Sequence, residues 1–316
     1  MKRLSALILV LFSCSFLAYS GGMKDIDTTF IQVPKQHASV KGFLDFSGST
    51  IQLKGSYEDK DFFTDIRSPF LLKQGVSFNW RFITLSVGFN LLKKPKNYFT
   101  IGLNSYGKKF AFELGFKVDR NFKGTQTFDG VTIDIPAESL RHTALTADVY
   151  YIFNGDHFSY PAAFGQSRIQ RKSSGSVIAA ASANFFRTRT NKNGVPFDKN
   201  ADFAVPDDMY FGGSTWSIGV GYGYNLVVGN LLFHASAIPT LVFLDSSKLV
   251  MDKEQIKTGL QFPHFITTGN LAIVYNRNRF FAALRGIIHH CTAGNSKSVQ
   301  ANYLRYNGTL CVGWRF

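Results

Sequence analysis

The last thirteen residues restrict this chain's fold more than any other stretch. From Leu304 to Phe316, one side of an extended chain carries Leu304, Tyr306, Leu310, Val312, Trp314 and Phe316, and the other carries Arg305, Asn307, Thr309, Cys311 and Arg315. A period of two with an aromatic-rich face and an arginine-bearing face fits a lipid-facing barrel wall around a polar lumen. Similar runs recur upstream: Val40/Leu44/Phe46, Ile51/Leu53/Tyr57, Val76/Phe78/Trp80, Leu85/Val87/Phe89, Phe99/Ile101/Leu103 and Phe110/Phe112/Leu114/Phe116. Leu145–Phe153, Val177–Phe185, Trp216–Tyr224, Phe233–Phe243, Phe265–Tyr275 and Phe280–Leu284 continue the pattern, giving thirteen runs with the terminal one. Single-chain barrels have even strand counts, so one run is miscounted. The expected fold is all-β, a transmembrane antiparallel up-and-down β-barrel of about 12 strands, with 14 as the alternative.

The chain opens Met1-Lys2-Arg3, runs apolar from Leu4 to Leu17, and reaches Ala18-Tyr19-Ser20 before Gly21. That is the layout of a secretory signal peptide over residues 1–20, too short to cross a bilayer as a helix. The alternative is a lipoprotein, with Cys14 as the lipid-attachment site. A periplasmic tail, 21–38, would precede the barrel, 39–316. Without Lys2 and Arg3 the formal net charge falls from +14 to +12. Anionic outer-membrane lipids and lipopolysaccharide phosphates are the counter-charge expected of a secreted barrel; nucleic acid is not expected as a partner. Cys291 and Cys311 would lie too far apart along neighbouring strands for a disulfide and are read as free thiols.

Loop length sets orientation, because periplasmic turns are short and extracellular loops long. Short turns near Tyr106–Lys108, Val227–Gly229 and Asn276–Asn278 then share the periplasmic side with both termini. Asp119–Arg141, Arg187–Gly213, Asp245–Pro263 and His289–Gln300 become outer loops. Asn154–Ser174 is long but on the short-turn side, so either it folds into the lumen or the strand count errs there.

Inner-parity positions carry Lys41, Lys54, Arg81, Lys117, Arg285, Arg305 and Arg315 against Asp45, Glu113, Asp119 and Asp148, leaving the lumen net positive. An open cationic lumen favours anions, whereas in a filled barrel the same charges pair across the interior. His234-Ala235-Ser236 resembles the His-x-Ser pair of outer-membrane lipid hydrolases, in which histidine activates serine. Pairing about the Val227–Gly229 turn sets His234 near Gly223 and Ser236 near Gly221, with no orienting Asn or Asp at a predictable place. Both side chains carry inner parity, away from bilayer substrate. Gly219, Gly221 and Gly223 would open local space rather than hold a nucleotide. His289, His290 and Cys291, with His264 opposite Cys291, are the densest set of metal-ligand types, set against a bland reading as a loop-top cluster. Phe158, Tyr160, Gln170 and Lys172 mark the Asn154–Ser174 segment as a ligand-binding or lumen-filling element.

Several segments carry a resemblance: Ser68–Phe78, Tyr151–Asn154, Phe158–Tyr160, Gln170–Ser176 and Gly219–Asn225. In this order they resemble a Bacteroidota family of outer-membrane barrels that carries only a domain-of-unknown-function label. The resemblance implies the barrel fold and its address, and no activity. Trp314 and Phe316 resemble the signal read by the barrel-assembly machinery. The sequence thus leads to a non-enzymatic narrow solute channel or envelope barrel in the outer membrane, with no cofactor. The alternatives are a lipid hydrolase using His234 and Ser236, and a barrel that binds partners through long basic surface loops. Oligomeric state is not legible.

Overall fold

The structure, a computed structural model, describes residues 26–57, 60–80, 83–91, 98–190, 210–251, 254–257, 264–294 and 299–316. The signal segment with Cys14, and Arg81, lie outside the described residues. Among the described residues, twelve strands form the wall. They are β1 (Ala38–Tyr57), β2 (Leu71–Trp80), β3 (Ile83–Asn90), β4 (Tyr98–Tyr106), β5 (Phe110–Asp119) and β6 (Leu140–Ile152). The second half comprises β7 (Ser174–Thr190), β8 (Tyr210–Val228), β9 (Leu231–Asp245), β10 (His264–Arg277), β11 (Phe280–Gly294) and β12 (Val299–Arg315). Each pairs antiparallel with its sequence neighbour, and β12 pairs with β1 from Arg315↔Ser39 to Val299↔Gly55, which closes the ring. Closure gives the wall backbone a partner on both sides, a requirement for any sheet placed in lipid.

Period-two alternation accounts for the two faces. Val40, Phe78, Val87, Ile101, Phe110, Val149, Val177, Ile218, Phe233, Leu271, Leu284 and Val312, one from each strand, are exposed on the outside. An apolar band around the full circumference is far larger than the patches a water-soluble monomer exposes. In lipid it is the ordinary outer surface of a barrel.

The thirteenth run has a simple origin. Val40/Leu44 and Ile51/Leu53 belong to the single strand β1, with Val40 and Leu44 facing out and Ile51 and Leu53 buried inside. The apolar parity switches midway because the upper half of β1 leaves the outward band and packs beneath a cap. Lys54, expected in the lumen, is consequently exposed on the outside, on the opposite parity to Lys41.

That cap lies at the end away from the termini. Strand Lys60–Arg67 pairs with upper β1 and with Lys123–Phe128, which pairs with Val131–Ile135; Lys248–Met251 pairs with the start of β8 and with Glu254–Lys257. Ile51, Leu53, Phe62, Ile66, Phe122, Phe128, Ile135, Leu140, Phe211 and Leu249 form one apolar cluster there. The Asp119–Arg141 loop is therefore largely a hairpin, and the His289–Gln300 loop is mostly strand, with β11 reaching Gly294 and β12 starting at Val299. Most of Arg187–Gly213 lies outside the described residues. Cys291 pairs with Tyr303, eight positions along β12 from Cys311, roughly 27 Å at the rise of an antiparallel strand, and both thiols are free.

Candidate functional site in the lumen

The Asn154–Ser174 segment folds back into the barrel. Its centre is a short helix, α1 (Tyr160–Phe164), all five residues of which are buried. Local sequence explains the helix: Ser159 Oγ accepts from Ala162 N–H at 3.2 Å, Pro161 sits in the first turn where no N–H is needed, and Gly165 N–H returns to Pro161 O at 3.0 Å. Phe158, Tyr160 and Phe164 pack with Tyr106, Tyr150, Ile152, Ile178, Leu232, Ile238 and Val274 as the core of the lower lumen.

The wall binds the carbonyls at the end of α1, where helix geometry leaves them without partners. Arg285 donates to Phe164 O at 2.7 Å and Asn79 to Gly165 O at 3.1 Å. Arg315 donates through Nε and Nη2 to Gln166 O at 3.1 and 3.0 Å, and also reaches Asn276 at 2.7 Å. Lys41 donates to Gln166 Oε1 at 3.1 Å. Three of the expected lumenal cations therefore hold the inserted segment and do not line an open bore.

Gln170 organises the other side. Its Oε1 accepts from Ser159 N–H at 2.8 Å and Asn225 Nδ2 at 3.0 Å, while Nε2 donates to His157 O at 2.5 Å and Lys172 O at 2.9 Å. The described part of the expected periplasmic tail, 26–38, packs onto this element. Ile31–Gln32 pairs antiparallel with Ile169–Gln170, Arg171 bonds the Gln32 side chain, and exposed Lys172 lies 5.1 Å from the Phe30 ring. His157 stacks edge-on to Phe30 and sits 3.4 Å from Asp27. Burial lowers the Arg168 guanidinium to about 10, so it stays charged at ordinary pH.

His234 and Ser236 share the inner face, and their register differs from expectation. The hairpin turns at Gly229-Asn230, so His234 lies opposite Asn225, and Ser236 opposite Gly223. This two-residue shift supplies the orienter that the sequence reading missed. Asn225 Oδ1 lies 2.7 Å from His234 Nδ1, and His234 Nε2 lies 3.1 Å from Ser236 Oγ, which also accepts from Asn270 Nδ2 at 3.2 Å. Asn225 Nδ2 binds Ser159 O at 3.1 Å, tying the row to the inserted segment. The rings of Phe158, Tyr160 and Phe164 surround His234 at 5.9, 5.8 and 5.0 Å. Gly223 does not open a cleft there: a Cβ would meet Ile178 and Phe158 at 3.0 and 3.1 Å, so the missing side chain admits the Phe158 ring.

The four ligand-type residues at the rim do not converge. His264 bonds Thr292, and His289 bonds Thr268 at 3.0 Å; His290 faces outward, and Cys291 lies opposite Ile266, not His264. Among the described residues no three His, Cys, Asp or Glu side chains are arranged to hold a metal ion.

Above the aromatic core, Glu113 accepts from Tyr106 at 2.9 Å, and Asp148 is bonded by Ser182. Lys117 pairs with Asp119 at 3.4 Å nearer the cap. Between this charged level and the cap lies a cavity of about 100 Å³, lined by Asp148 and Arg305 together with His142, His289, Phe186 and Phe211. At the seam of the barrel, Trp314 and Phe316 face outward, and Phe316 exchanges backbone bonds with Ala38 at 3.0 and 3.3 Å.

No curated protein matches this chain. Similar solved structures include the outer membrane protease OmpT from Escherichia coli, 6% identical over 90% of this chain and 97% of that one, TM-score 0.47. The translocator domain of autotransporter NalP from Neisseria meningitidis is 11% identical over 100% and 98%, TM-score 0.39. The toluene transporter TodX from P. putida is 8% identical over 90% and 91%, TM-score 0.27. None of these likenesses lends its chemistry to this chain. A family model, Domain of unknown function (DUF4421), matches residues 25–316, and the protein belongs to that family.

Proposed function

We propose that this protein is a non-enzymatic outer-membrane barrel whose lumen is held shut by its own 153–173 segment, and that it passes solute only when that segment is displaced. One observation carries the reading: α1 is fully buried in the lower lumen, and Lys41, Asn79, Arg285 and Arg315 hold the carbonyls and side chain at its end. The signal segment and the Trp314/Phe316 end support delivery by the barrel-assembly machinery. The apolar belt supports lipid as its surroundings, with lipopolysaccharide outside. Planar-bilayer recording of the refolded protein tests the proposal. The wild type should be silent, and a variant with residues 156–171 replaced by a short Gly/Ser turn should conduct with a preference for chloride, set by Lys41, Arg285, Arg305 and Arg315. Steady wild-type conductance, or silence of the replaced variant once heat-modified gel migration shows it is folded, would overturn it.

A second reading, a serine hydrolase acting on lipid, is favoured by the Asn225–His234–Ser236 row. An amide holds the imidazole, which is hydrogen-bonded to a hydroxyl, as nucleophile activation requires. The aromatic rings on His234 and the inward parity of both residues oppose it. A fluorophosphonate should leave Ser236 unlabelled and no fatty acid should be released; Ser236-dependent labelling with lipid deacylation would replace the first reading with the second.

A further inference from the structure

The upper-lumen cavity is built for more than solvent. Its volume of about 100 Å³ is on the order of seven to ten times what one water needs, enough for a small organic molecule. Two opposite charges reach it from opposite walls: Asp148 from β6 and Arg305 from β12, six strands apart around the ring. They form no ion pair with each other. Asp148 is bonded by Ser182 and feels Arg305 electrostatically, while the Arg305 side chain has no hydrogen-bond or ion-pair partner among the described residues. A second group beside Arg305 is also unmet. His142 is buried with Nδ1 held 2.9 Å from Thr188 Oγ1, and its Nε2 has no partner. A buried polar atom such as this Nε2 carries a substantial cost unless something binds it. Most of the remaining wall is apolar, with Ile51, Phe186, Phe211 and Ile266 on the cap side.

We propose that this cavity binds an α-amino acid with an apolar side chain. Arg305 takes the carboxylate as a guanidinium fork, Asp148 takes the ammonium, and the side chain lies against Phe186 and Phe211. The charge arrangement selects this class. A plain anion would satisfy Arg305 while facing Asp148, and a plain cation would leave Arg305 unmet. A zwitterion meets both at once. Nearby cations do not compete, because Arg285 is bonded to Phe164 O and Lys117 is paired with Asp119.

The test is calorimetry on the full refolded protein in micelles with L-phenylalanine and L-leucine, against 3-phenylpropanoate and phenethylamine as single-charge analogues. Saturable heat is expected with the amino acids, and binding of the analogues should be weaker by at least about tenfold. Arg305→Gln and Asp148→Asn should each weaken binding by a similar factor. Ala144→Phe, which fills the cavity and leaves both charges in place, should abolish binding in a barrel that still shows heat-modified migration. Absence of heat with both amino acids overturns the proposal. So does equal binding of 3-phenylpropanoate with no effect of Asp148→Asn, which would make the cavity a simple carboxylate site.

Discussion

Gln170→Leu isolates the clasp on the inserted segment. The two side chains are close in volume, and Gln170 is 4% exposed, so packing changes little and the hydrogen bonds are what is lost. The substitution leaves Ser159 N–H without its acceptor inside the barrel and removes the donor to His157 O, while Lys172 O can turn to solvent. Asn225 Nδ2 keeps its bond to Ser159 O but loses the acceptor of its second proton, and Phe30 O keeps Arg171 N–H. Two buried N–H groups and one half-buried carbonyl left unmet cost at least about 3 kcal/mol together, since each such group costs roughly 1–3. At 1.4 kcal/mol per decade, the equilibrium for undocking the segment shifts about a hundredfold. Amide exchange followed by mass spectrometry reads this directly: peptides spanning 157–172 should exchange about a hundredfold faster, with β8 through β12 unchanged. Brief conductance events should appear in the otherwise silent protein. A rise below about threefold would show that Gln170 does not hold the segment. An equal rise across the wall would show that the effect is global unfolding and not undocking.

Other changes probe separate parts of the same argument. Gly223→Leu places a side chain where Phe158 now sits, so tryptic cleavage within 157–172 should accelerate and no gain in stability should follow; unchanged cleavage would mean the ring does not depend on that space. Deleting Phe316 removes its backbone bonds to Ala38 at the β1/β12 seam and should lower the assembled, heat-modifiable fraction, while Phe316→Tyr should keep it. Thr29 donates to Asp27 through its backbone at 2.8 Å and also through its side chain, which holds that carboxyl below its usual 3.8. A depressed value means the contribution of Asp27 is complete above pH 3.8 and lost only as pH falls through the lower folded value. Carbon NMR of the Asp27 carboxyl should therefore give a midpoint below 3.8, and a midpoint at or above it would contradict the Thr29 contact.

The wall was legible because alternation is a local property: each strand states its own two faces, and the chain from Leu304 to Phe316 states them without interruption. Partners across two hairpins, which depend on register, were less legible. At both the Gly229-Asn230 and the Asn278-Arg279 turns, the reading centred the hairpin one residue early, and one residue at a turn moves every partner by two. Because a two-residue slip conserves parity, the faces came out right while the neighbours came out wrong. His234 was correctly turned inward yet matched with Gly223, so Asn225 escaped notice; His264 was matched with Cys291, which made a ligand cluster that the true register disperses. Gly-Asn after Val227-Val228 was the available signal, since a glycine in a two-residue turn fits the positive φ of 59° seen at Gly229. The inserted segment was harder to place. Nothing local fixes where twenty residues at the short-turn end go, and the groups that decide it, Lys41, Asn79, Arg285 and Arg315, are spread over four strands far apart in sequence. The inward parity of the three cations was legible, but their common target was not. An inward cation reads the same whether it lines water or holds a carbonyl, and only the closed ring, which brings β1, β2, β11 and β12 side by side, distinguishes the two.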